Sequence, residues 1–124
     1  MPYTNAYGGY NAYKQVGVKT ASQGKLVVML YDGAISNLSA AAALVDENGK
    51  IRPDNIEAYG NHLQKTMDII SELEASLNME LGGEIAQNLM SLYVYFNKEL
   101  LDATLSHKKD KIDFVHNMLS ELRE

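Results

Sequence analysis

The residues whose types and spacing could do chemistry are few, and His62-Leu-Gln-Lys65 is the first. Three positions apart on a helix, the imidazole and the ammonium share a face. An exposed imidazole can take up a phosphoryl group, and a neighbouring lysine steadies its charge. Asp113-Phe-Val-His116 places a carboxylate one turn before a histidine, which imitates half of a bundle-type di-iron site. Such a site needs a Glu-x-x-His pair on each of two helices, and here the imitation occurs once. No Gly-x-x-x-x-Gly-Lys loop or Gly-x-Gly-x-x-Gly turn is present to cradle a phosphate. With no cysteine there is no thiolate nucleophile, no Cys-type zinc site and no disulfide framework. The acidic residues fall mostly on polar helix faces, where their role is solvation. The expectation is a non-enzymatic chain with no catalytic residues, no cofactor and no metal.

The elements that must position any site read as helices throughout. The 124 residues suffice for one domain with a real core. Residues 1–9, with Pro2 and Gly8-Gly9, read as a flexible leader, and Tyr10 to Val18 as a short helix interrupted near Gly17. Ser22 can cap a first long helix running to about Asp46, which Asn48-Gly49 ends. Pro53 or Asp54 opens a second helix with the core stripe Ile56, Tyr59, Leu63, Met67, Ile70, Leu73 and Leu77. Gly82-Gly83 breaks the chain before a third helix, Glu84 to about Ser106, with the stripe Ile85, Leu89, Leu92, Phe96, Leu100 and Ala103. Asp110 caps a short fourth helix with the stripe Ile112, Val115, Leu119 and Leu122. No stretch combines alternation with β-branched enrichment and turn flanks. The reading is all-α: residues 1–21 a leader, residues 22–124 an antiparallel up-down four-helix bundle.

Two helices carry more apolar surface than one core requires. At about 100° per residue, Leu26, Leu30, Gly33, Ala40 and Leu44 form one face of the first helix; Val27, Tyr31, Ala34, Leu38 and Val45 form a second. The third helix bears Met90, Val94, Leu101 and Leu105 beside its stripe, with Tyr93 between the two, and Phe114 and Met118 edge the stripe of the fourth. Such arcs arise either when a helix touches several neighbours or when a groove awaits an apolar partner helix. Surplus on two helices of one short chain favours the groove, with Val27, Tyr31, Leu38, Met90, Tyr93, Val94, Leu101 and Leu105 as its lining. The leader tyrosines Tyr3, Tyr7, Tyr10 and Tyr13 recur at helical spacing. Tyr7, Tyr10 and Tyr13 would then cover part of the groove in the free protein; the alternative is a floppy tail.

Charge and hydropathy narrow the partner. A formal charge of −5 argues against a nucleic-acid partner, and Lys108-Lys109 with Lys111 reads as a solvated connection. No apolar run approaches the ~18 residues a membrane span needs, so no membrane insertion is expected. The N-terminus lacks the basic start and apolar run of a signal peptide, which points to the cytoplasm.

The first third of the chain also carries a resemblance. Tyr10-x-x-Tyr13, Val18, Thr20-Ala21-Ser22 and Met29-Leu-Tyr-Asp-Gly-Ala-Ile35 together resemble the N-terminal signature of the FliS family of flagellin export chaperones. One departure is Gln23, where that family usually has proline; glutamine can occupy the same first helical position. The resemblance implies a cytoplasmic partner for the C-terminal segment of flagellin, which prevents premature polymerisation and passes the loaded complex to a component of the export gate. Dimerisation stays open. The alternative is a histidine phosphotransfer bundle using His62. Those domains usually follow the lysine with glycine, and here Thr66 stands there.

Overall fold

The computed structural model describes residues 23–124, which form four α-helices: α1 (Gln23–Ala42), α2 (Ile56–Ala75), α3 (Gly83–Ser106) and α4 (Lys109–Arg123). Each helix packs on the next, and α4 closes the ring against α1. Short connections make successive helices antiparallel. The Tyr59 hydroxyl at the start of α2 reaches Ala103 O at the end of α3, and Arg123 at the end of α4 holds Asp32 in the first half of α1. The up-down four-helix bundle expected from the sequence is therefore the observed fold. Extended pairing among the described residues is confined to one antiparallel bridge, Val45 with Ile51.

The helix ends depart from expectation where side chains compete for the backbone. α1 stops at Ala42 rather than near Asp46. Asp46 Oδ1 accepts from the backbone N–H of Asn48 and of Lys50, each at 2.9 Å, and Gly49 turns into the left-handed region at φ 75°. That local turn is an alternative to another helical one. α2 begins at Ile56 because Pro53–Asn55 form a 3-10 turn first. At Gly82 an added Cβ would lie 2.6 Å from Asn78 O, so a side chain there would force the turn before α3 apart. His107 (φ 60°) ends α3, its ring edge-on to Tyr59. Lys108, not Asp110, precedes α4; Asp110 lies in the first turn, where it still complements the helix's positive end.

The core follows the helical spacing closely. Tyr59, Leu63, Ile70 and Leu73 from α2, Phe96, Leu100 and Ala103 from α3, and Ile112, Val115 and Leu119 from α4 are buried. Met67, Leu77, Leu89 and Leu92 pack at its edge. Three stripe residues do not join it: Ile56, Ile85 and Leu122 are exposed. The reason is length. α3 has 24 residues and α4 has 15, about 36 Å against about 22 Å at the α-helical rise. The first turn of α3, with Ile85, therefore overhangs its neighbours, while Ile56 and Leu122 sit at helix ends. Lys111 is also not free in solvent: it lies on α4 and pairs with Glu99 and Asp102 of α3 at 3.1 Å each.

Three tyrosines are buried with their hydroxyls bonded. Tyr59 Oη donates to Ala103 O at 2.6 Å, and burial pushes its pKa up to about 12. Burial likewise raises Tyr31 and Tyr93; their mutual hydrogen bond adds to the shift at Tyr93 and partly offsets it at Tyr31. All three folded values lie above the ordinary 10.0. As pH rises past about 10 the unfolded chain releases these protons first, so the stability they confer is lost upward through the folded values. Urea midpoints should hold level from pH 7 to 9 and fall above about pH 10, with part of the tyrosinate absorbance appearing only as helical ellipticity is lost. A midpoint unchanged at pH 11 would contradict the burial of these hydroxyls.

Candidate functional site

The two apolar faces of α1 pack largely within the bundle, while Val28 and Met29 beside them stay exposed. Leu26, Leu30, Gly33 and Leu44 lie on the side toward α2; Gly33 comes so close that an added Cβ would sit 3.3 Å from Ile69 Cδ1. Tyr31, Ala34, Leu38 and Val45 face the centre, and Leu38 is fully buried. Tyr31 is 5% exposed and Tyr93 of α3 is 3% exposed. The expectation that Tyr31, Leu38 and Tyr93 line an open groove is therefore corrected. α1 and α3 stand at diagonal corners, and side chains facing that diagonal meet each other instead of solvent. Val27 is half-buried and packs against the core.

Tyr31 and Tyr93 meet across the diagonal, hydroxyl to hydroxyl, at 2.6 Å. Removing one hydroxyl leaves the other buried without its partner, whereas removing both leaves an apolar pair. Tyr31→Phe and Tyr93→Phe should each cost about 1–3 kcal/mol, while the double variant costs less than their sum. Denaturant titration of the three variants reads the difference, and strict additivity would mean that the bond contributes nothing.

Beside this pair lies an apolar cavity of about 190 Å³, bounded by Val27, Val28, Leu77, Leu89, Leu122 and Arg123 as well as the two rings. It sits at the end of the bundle where α1 begins. Arg123 closes its rim by a two-pronged grip on Asp32: Nε donates to Oδ1 and Nη2 to Oδ2 at 3.3 Å. That guanidinium holds the Asp32 carboxyl below its usual range. Tyr7, Tyr10 and Tyr13, expected as a cover, and Ser22, expected as a helix cap, lie outside the described residues.

α3 carries more exposed large apolar residues than any other described helix. Val94 is 53%, Leu101 57% and Leu105 79% exposed, and Met90 is half-buried beside them. Spaced by four, seven and four, they line the flank of α3 that turns toward α2. On that side Asn97 crosses the seam, its Nδ2 donating to Met67 O at 3.4 Å and Ser71 Oγ at 3.3 Å. Its Oδ1 is buried with no hydrogen-bond partner among the described residues. On the opposite flank Tyr95 and Phe114 stack edge to face at 6.0 Å, both partly exposed. Tyr95 was not singled out by its spacing; its place one residue before the core Phe96, on the α4 side, was the available signal.

His62 does not stand free. Asn37 Nδ2 donates to Gly33 O, so its Oδ1 accepts, at 2.9 Å, from His62 Nδ1. The imidazole is thus tied into the α1–α2 seam, and the fully buried Thr66 donates its hydroxyl back to His62 O. A phosphotransfer role for His62 has no support in this arrangement. Among the described residues no three acidic, His or Cys side chains cluster as a metal site, and no helix is long and apolar enough to cross a membrane.

The family model described as flagellar protein FliS matches residues 5–124. The chain belongs to the FliS family. Among similar proteins is the flagellar secretion chaperone FliS of Salmonella typhimurium, 38% identical over 94% of this chain and 85% of that one. The flagellar secretion chaperone FliS of Vibrio cholerae is 34% identical over 94% and 84%, and that of Bacillus subtilis 28% identical over 93% and 80%. The match spans nearly the whole chain, from the tyrosine-spaced leader through α4. The family resemblance read from residues 10–35 extends to the full chain.

Proposed function

We propose that this chain is a cytoplasmic, non-enzymatic export chaperone for flagellin, seating the C-terminal segment of that subunit on the exposed face of α3. The observation that carries the reading is the row Met90, Val94, Leu101 and Leu105, about 22 Å long at the helical rise and left uncovered by the bundle in a FliS-family chain. Contiguous exposed apolar surface on a soluble domain marks an interaction site. A disordered amphipathic segment can order as a helix along such a row, and its ordering cost keeps release feasible for handover to the export gate. The covered segment is then withheld from premature polymerisation. Val27 belongs to a second part of the surface, the apolar cavity at the bundle's end. Tyr7, Tyr10 and Tyr13 are proposed to cover that end, where α1 begins, in the free protein and to yield to the ligand.

Calorimetric titration with a flagellin C-terminal segment should give a strongly negative heat-capacity change and a gain of helical circular dichroism. Binding with neither signature would exclude coupled folding, and no binding would exclude the flagellin reading.

A further inference from the structure

α2 contains a glycine that the bundle itself does not require. Gly60 lies inside the helix, where glycine is less favourable than alanine by about 1 kcal/mol. A Cβ built on it meets nothing within 4 Å, so no neighbour in the folded chain forbids a side chain. By contrast, Gly33 is held against Ile69 and Gly82 against Asn78 O.

Its position gives the absence of a side chain a use. Gly60, Gln64, Met67 and Ser71 are spaced by four, three and four, one strip of α2. Met67 O and Ser71 Oγ both receive Asn97 of α3, so this strip borders the α2–α3 seam. Tyr59 bonds Ala103 O, which sets Gly60 level with the Leu101–Leu105 turn of α3. A bare stretch of α2 backbone thus lies alongside the two most exposed leucines of the apolar row.

Charges bracket the same strip. Glu57 and Asp68 lie toward the outer edge of α2, and Lys98 borders the far edge of the row on α3. None of the three takes part in a salt bridge among the described residues. A helix lying in the seam would find an acidic edge on one side and a cation on the other.

We infer that Gly60 is the point of closest backbone approach for the flagellin helix, receiving a Gly, Ala or Ser of that helix while larger apolar residues on either side of it pack on Leu101 and Leu105. The helix presents basic residues to Glu57 and Asp68 and an acidic residue to Lys98, which fixes its direction along the seam. Helices approach most closely where small residues face each other, so a side chain at Gly60 lifts the partner off both leucines at once. The inference rests on the reading of the α3 face as the flagellin seat, and it adds which residue sets the register.

The test compares the unaltered chain with Gly60→Ala, Gly60→Leu and the control Ala58→Leu, which lies about 200° round the helix from Gly60 on an exposed position. Each is titrated with the flagellin C-terminal segment and melted alone. Gly60→Ala should melt higher, since only helix propensity changes in the free protein. Gly60→Leu should bind about 30-fold more weakly while still melting cooperatively, and Ala58→Leu should bind as the unaltered chain does. The chain has no cysteine, so Gly60→Cys gives a single thiol. A bulky maleimide on it should block binding, whereas the same label on Ala58→Cys should not. If the segment binds the unaltered chain and Gly60→Leu and labelled Gly60→Cys bind equally well, the close approach is wrong and the flagellin reading stands. If the unaltered chain does not bind the segment, both are overturned.

Discussion

Leu101→Asp should abolish capture of a flagellin C-terminal segment while leaving the fold intact. The Leu101 side chain is 57% exposed in the free chain and lies outside the buried core. Substitutions at such positions usually move stability by no more than about 0.5 kcal/mol, a shift of about 3 °C or less in melting temperature for a chain of this size. In the complex the same position is the middle of a desolvated apolar row, where a carboxylate has no partner. Losing one central anchor and stranding a charge should weaken binding by about 100-fold or more, close to 2.7 kcal/mol. Calorimetry of the variant against the flagellin segment, with a thermal melt of the variant alone, reads both halves. An unfolded variant would place Leu101 in the core, and unimpaired binding would move the seat off α3.

Leu38→Ala should do the reverse. Leu38 is fully buried at the centre of the ring of helices, and truncating a buried leucine costs about 2–5 kcal/mol through lost contacts and the cavity left behind. In a domain whose total stability is about 5–15 kcal/mol this is a large fraction, and the melting temperature should fall by roughly 10 °C or more. Below its melting point the variant should still bind the flagellin segment, because the α3 row is untouched. Leu101→Ala is the matched comparison: the same atoms removed from an exposed position, with little change in the melt. Equal destabilisation by the two truncations would contradict the assignment of one leucine to the core and the other to the surface.

Particular residues explain how much could be read in advance. Stripes such as Tyr59, Leu63, Ile70 and Leu73 are legible because helical spacing and burial have the same period, and a bundle only has to bring the stripes together. Met90, Val94, Leu101 and Leu105 were legible as surplus for the same reason: they lie off the stripe of their own helix. The helix ends were less so, since a competing hydrogen bond such as that of the Asp46 carboxylate is worth about as much as one further helical turn.

Composition and periodicity alone determined four helices, one core and an apolar excess on α3, while the residues between Tyr10 and Ile35 carried the family resemblance. Tertiary structure alone decided that the second apolar face of α1 is core. A helical wheel gives the angle between two faces but not the number of neighbours a helix touches. α1 touches α2 on one flank and α4 on the other, so Tyr31 points down the diagonal to Tyr93 and Leu38 is buried in the core. It also decided that Gly60, which on the sequence is only an unfavourable residue in a helix, is a bare patch of backbone level with Leu101 and Leu105. That neighbour relation spans two helices, and no spacing along one of them contains it.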